Sequence, residues 1–205
     1  MLHSDQILPP LAGSIPDYKT ELNYSNPYEL LMATILSAQC TDERVNAVTA
    51  TLFPIYPTPA ALAAADPAEL EGQIRSTGFF RDKTKRLIGC SRALVERFAG
   101  QVPRTLEELV SLPGVGRKTA NLMLGEAFGQ PAVVVDTHVR RVSQRLGLTE
   151  LEDADEIELQ LQSWMHPAQW WPGSSRLLLH GRYTCLAKKP KCPTCVLRDI
   201  CPSAS

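Results

Sequence analysis

Apolar residues along the chain recur at helical spacing, and capping residues cut the pattern into short segments. In NPYELLMATILSAQ, Asn26 stands as N-cap, Pro27 at the first helical position and Glu29 at N3, a capping-box arrangement. Leu30, Leu31, Thr34, Ile35 and Ala38 then form an apolar stripe. TDERVNAVTATLF predicts a second helix, up to Pro54. Thr58-Pro59 and Asp66-Pro67 repeat the cap-plus-proline signature ahead of two more. KTKRLIGCSRALVERF predicts a long helix closed by Gly100, and TLEELVSL opens on Thr105 with Glu108 at N3. KTANLMLGEAF follows and ends near Gly129, THVRRVSQRL ends at Gly147, and two further helices are expected around 157–165 and 174–180. The run AVVV has strand propensity, but it has no partner strand and is read as a loop. The pattern predicts an all-α protein.

Length and composition narrow this picture. The 205 residues suffice for one large domain or two lobes. No run of eighteen apolar residues occurs, and the first residues show no basic stretch followed by an apolar one, so a cytoplasmic protein is expected. A net charge of -1 argues against a phosphate-binding role if the charge is taken as a sum. Its distribution changes that reading. Six acids lie between Glu150 and Glu158, whereas six bases and one acid lie between Arg176 and Cys201. RDKTKR, at 81–86, reads as a solvated helix face.

LPGVGRKTANLML, at 112–124, carries the first candidate chemistry. Gly114 and Gly116 permit a tight connection between two helices, and the free N–H groups opening the second helix form an anion site suited to phosphate. This is the pattern of a helix-hairpin-helix. Lys118 sits where the helix dipole disfavours a cation; a partly desolvated lysine there can lose its proton and act as a nucleophile, or it can simply bind phosphate. Asp136 in VVVDTHV is a helix N-cap, a catalytic carboxylate, or both. Cys40 and Cys90 are isolated and read as small buried hydrophobes. Cys185, Cys192, Cys195 and Cys201 are spaced with six, two and five residues between them. Four thiolates can hold zinc or a [4Fe–4S] cluster, and spacing alone leans only slightly to the cluster.

LSAQCTD, LPGVGRKTANLML, VDTHVRR and the tail LLLHGRYTC…KCPTCVLRDICP occur in the order found in the helix-hairpin-helix DNA glycosylases, and the chain resembles that superfamily and, within it, the endonuclease III family. The resemblance implies a two-lobed fold: a six-helix domain over 22–130, and a second built from 1–21 with 131–205 that holds a [4Fe–4S] cluster on the four cysteines. It places DNA in the groove between the lobes, with Lys118 and Asp136 facing each other across it and His138 in support. It implies a monomer that acts on damaged duplex DNA as a bifunctional glycosylase and apurinic/apyrimidinic lyase, with oxidised pyrimidines as substrates. Gln39 takes the place of the side chain that fills the hole left by a flipped base. Phe79 stands where the family often has an aliphatic wedge; Phe80 is expected to be buried. Lys188, Lys189 and Lys191, tethered between Cys185 and Cys192, would meet phosphates. Two other readings compete: a monofunctional glycosylase for another lesion, and a non-catalytic hairpin that only binds DNA.

Overall fold

The structure, a computed structural model, describes residues 2–204. Helices account for all the regular structure among them, and residues 132–135 form no strand. The chain divides into two compact units: Thr20–Phe128, and the two chain ends, Met1–Lys19 with Gly129–Ser205.

The unit Thr20–Phe128 is built around α2 (Pro27–Leu36), whose Leu30, Leu31, Met32, Ala33 and Leu36 are completely buried. A helix apolar on nearly every side belongs inside a bundle. Around it run α3 (Asp42–Ile55), α4 (Pro59–Ala63), α5 (Pro67–Ile74), the amphipathic α6 (Phe80–Phe98), α7 (Leu106–Val110) and α8 (Arg117–Leu122). The caps read from the sequence are in place. Asn26, Thr58, Asp66 and Thr105 each accept backbone N–H bonds in the first turn, and each such cap contributes about 1 kcal/mol. At Asn26 the reciprocal half of the capping box is shifted by one residue: the Glu29 carboxylate accepts from Ser25 N at 2.6 Å. α3 continues to Ile55, with Pro54 in its last turn. α8 passes into a π-helical stretch, Met123–Ala127, that the apolar pattern does not announce.

The other unit packs α1 (Ser4–Ser14), α9 (Thr137–Arg145), α10 (Ala154–Trp164) and α11 (Trp170–Tyr183) around Ile7, Leu11, Val133, Val139, Val142, Leu161 and Leu177. α9 and α11 approach closely at Gly181, where a Cβ would lie 2.8 Å from His138 Cβ and 3.0 Å from Val142 Cγ2. α10 and α11 both start earlier than expected. Asp153 caps α10 through Oδ1, and Pro172 lies in the first turn of α11, where its missing N–H costs nothing.

Candidate nucleic-acid interface and iron–sulfur site

The hairpin joins α7 to α8 through residues 111–116. Gly114 has φ +82, and a Cβ there would press to 2.9 Å against Arg86 Cβ on α6, so both backbone and packing require glycine. Leu112 and Val115 are buried and hold the turn down. Gly116 is the N-cap of α8, and no side chain caps that helix. The opening turn of α8 therefore presents backbone N–H groups, with the exposed Lys118 side chain beside them.

Four non-glycine residues adopt positive φ among those described: Gln39 (54°), Phe79 (48°), Ala99 (51°) and Lys189 (52°). Ala99 terminates α6, where Gly100 N reaches Leu94 O. The other three are residues that the sequence resemblance assigns to DNA. A bulky residue held left-handed costs on the order of 1–3 kcal/mol and persists only where its surroundings impose it. Gln39 is exposed in the turn between α2 and α3. Phe79 is 66% exposed, directly before α6. Phe80 behind it is only half-buried, with the guanidinium groups of Arg75 and Arg81 5.8 and 5.4 Å from its ring centre.

Asp136, in the unit formed by the chain ends, caps α9. Its Oδ1 accepts from His138 N at 2.8 Å and Val139 N at 2.9 Å, while Oδ2 takes no hydrogen bond among the described residues. His138 Nδ1 lies 3.2 Å from Arg141 Nη2. Arg141 also donates to Gly181 O (2.7 Å) and Cys185 O (3.1 Å), so it ties α9 to the end of α11 and to the first cysteine.

The four tail cysteines line one cavity of about 130 Å³, together with Arg145, His180 and Leu197. Among the described residues no three His, Cys, Asp or Glu side chains form a group that could hold a metal ion. A ring of thiols around a void suits a polynuclear cluster, in which each iron takes one thiolate, whereas one zinc would draw the sulfurs to about 2.3 Å from a single point. Burial pushes the Cys195 thiol up, the Leu197 N–H opposes this, and Cys185, Cys201 and Cys192 push it further. Four such thiolates need a cationic core between them. Arg145 donates to Cys185 Sγ at 3.3 Å and to the carbonyls of Leu186 and Ala187, and His180 Nε2 lies 3.6 Å from Cys195 Sγ. Burial holds His180 below the usual histidine range, which favours the neutral ring. Lys188, Lys189 and Lys191 are exposed on the loop spanning Cys185 and Cys192.

Residues 32–167 match the HhH-GPD superfamily of base excision DNA repair proteins, and residues 185–201 match the iron–sulfur binding domain of endonuclease III. Endonuclease III of Synechocystis sp. is 52% identical over 200 residues, covering 97% of this chain and 91% of the relative. A solved non-covalent endonuclease III–DNA complex superposes with a TM-score of 0.94 at 44% identity, covering all of this chain and 97% of the other. A trapped endonuclease III–DNA covalent intermediate superposes equally well, at 44% identity and with 98% of that chain covered. The chain belongs to the endonuclease III family. It is a base excision repair DNA glycosylase, and its cofactor is a [4Fe–4S] cluster, for which Cys185, Cys192, Cys195 and Cys201 are the donor set at hand.

Besides Phe80, expected to be buried and found half-buried, two more sequence expectations need correction. Cys40 is half-exposed, whereas Cys90 is fully buried as expected. Cys40 follows the exposed Gln39 in the turn between α2 and α3. RDKTKR is not uniformly a solvated face either. Arg81, Lys85 and Arg86 are exposed, but Lys83 is 3% exposed. The signal was present, because Lys83, Leu87 and Leu94 share the buried stripe of α6. From the sequence, Arg141 and Arg145, which organise the cysteine loop of this endonuclease III-family enzyme, are legible only as members of the predicted helix THVRRVSQRL. Their i, i+4 spacing on α9 is what sets both toward the same neighbour.

Proposed function

We propose that this enzyme is a bifunctional glycosylase and apurinic/apyrimidinic lyase that removes oxidised or ring-saturated pyrimidines from duplex DNA as a monomer. The observation that carries the reading is an exposed lysine, Lys118, in the uncapped first turn behind a Gly-Val-Gly hairpin. It is supported by the likeness to an endonuclease III–DNA intermediate that is covalent. A nucleophilic role gives a reason for a lysine at a position where the helix dipole opposes a cation.

In this reading the damaged base is extruded from the duplex. The hairpin N–H groups and Lys188, Lys189 and Lys191 hold phosphates, and Gln39 and Phe79 fill the vacated stack. The neutral Nζ of Lys118 attacks C1′ of the sugar, the C1′–N bond breaks, and the base leaves with a proton. The C1′–O4′ bond then opens, with O4′ taking a proton, and leaves an iminium; this loses a proton from C2′, and β-elimination breaks the C3′–O3′ bond and expels the phosphate on the 3′ side. Water then hydrolyses the imine and returns Lys118. Oδ2 of Asp136 is the oxygen left to accept a proton or to face positive charge developing on the sugar. The cluster, when bound, supplies a cationic core that fixes four thiolates and hence both ends of the lysine loop; glycosidic cleavage itself transfers no net electrons.

The test is a duplex carrying one ring-saturated pyrimidine. Wild type should release the base and cut the strand in the same incubation. Lys118→Ala should bind the duplex with similar affinity and leave it uncut. Abasic sites that accumulate uncut with wild type would instead establish a monofunctional glycosylase.

A further inference from the structure

Lys83 is a buried lysine that the chemistry above does not use. It is 3% exposed, and no carboxylate pairs with it among the described residues. An ammonium in that position is costly unless it is hydrogen-bonded to good effect. Its Nζ donates to Thr77 O at 2.8 Å, and its backbone N–H donates to Phe79 O at 3.0 Å. The second is the i→i−4 bond of α6 that any residue at 83 makes; the first is the lysine's own and holds the carbonyl ahead of Gly78. Gly78 (φ +71) and Phe79 (φ +48) are consecutive left-handed residues, and they turn the chain so that the Phe79 ring stands out of the surface. Thr77 is itself buried and fastened through Oγ1 to Ile74 O at 2.8 Å. The grip thus runs from the core at Thr77, across Gly78 and the strained Phe79, to the first turn of α6. Burial lowers the proton affinity of Lys83, and Cys40, adjacent to Gln39 in the chain, opposes that shift. The ammonium is near both turns that present a candidate wedge.

We infer that Lys83 is a positioning residue that holds Phe79 ready to enter the duplex where the flipped base has left. The lysine cannot itself reach phosphate, since it is enclosed by protein. This inference rests on the reading of Phe79 as the inserted side chain, and the experiment separates the two. Single-turnover base release from a duplex with one ring-saturated pyrimidine is measured for wild type, Phe79→Ala, Lys83→Met and the double variant. Melting midpoint and visible absorbance are recorded for each. Methionine keeps the length of the stem and removes the buried charge, while leaving Thr77 O without the bond from Nζ. The expected result is a cooperative melt and wild-type absorbance for Lys83→Met, together with roughly tenfold slower base release, the size of one lost stacking contact. The double variant should be no slower than Phe79→Ala alone. Losses that multiply in the double variant would overturn the inference, as would a wild-type rate for Lys83→Met beside a slow Phe79→Ala. A Lys83→Met protein that loses its absorbance or its cooperative melt would also overturn it, assigning the lysine to the core. A wild-type rate for Phe79→Ala would remove the wedge reading itself, and this inference with it.

Discussion

At Asp136 the two carboxylate oxygens are unequally committed. Oδ1 caps α9 with two short bonds, and Oδ2 accepts none among the described residues. The structural and chemical roles can therefore be separated by substitution. Asparagine is as good a cap as aspartate, but it has no charge and cannot take a proton. Asp136→Asn should melt close to wild type while base release falls by about 10²–10³-fold. Asp136→Ala should lose the rate and in addition about 1 kcal/mol of stability. Thermal melts and single-turnover rates on both variants check this. An asparagine variant with the wild-type rate would leave Asp136 as a cap and nothing more.

Among the elements, the cysteine loop is the one whose shape depends most on what its ends are tied to. Arg141 and Arg145 hold its first residues by their carbonyls, Lys191 N bonds back to Thr184 O, and Lys189 is left-handed at the exposed crest. A loop fixed in this way presents ammonium groups with little entropy left to lose on binding. Lys189→Ala should weaken duplex binding, and the slope of log affinity against log salt should flatten by about 0.9, one phosphate contact. Anisotropy titrations at several salt concentrations would show it, and an unchanged slope would take this lysine off the DNA. The same scale explains what the sequence made legible. Helices with polar caps and a following proline, such as those at Thr58 and Asp66, could be read directly because the cap is a local hydrogen bond. α1 could not, since Pro9 and Pro10 read as breakers; its helix is held instead by tertiary burial of Ile7 and Leu11. The burial of Lys83 is masked by its charge, although its place on the apolar stripe of α6 is visible in the periodicity. The cysteine site was legible as a ligand set, but its arginine supports were not, because their partners lie some forty residues further along the chain.

For the whole molecule, a net charge of -1 conceals a segregation that suits an enzyme of DNA: acids lie together in 150–158, and bases gather on the cysteine loop and around α6. Membership of the endonuclease III family follows from the full-length similarity, and the glycosylase assignment with it. The lyase half of the proposal depends on one bond, between Lys118 Nζ and C1′ of the sugar. Borohydride reduction tests that bond directly, because it converts a transient imine into a stable amine. Purified, cluster-containing enzyme is incubated with borohydride and a duplex bearing one abasic site, beside Lys118→Gln. The account predicts a covalent protein–DNA adduct with wild type and none with the variant. No adduct from folded wild type, or an equal adduct from Lys118→Gln, would contradict it and leave Lys118 as a residue that binds phosphate.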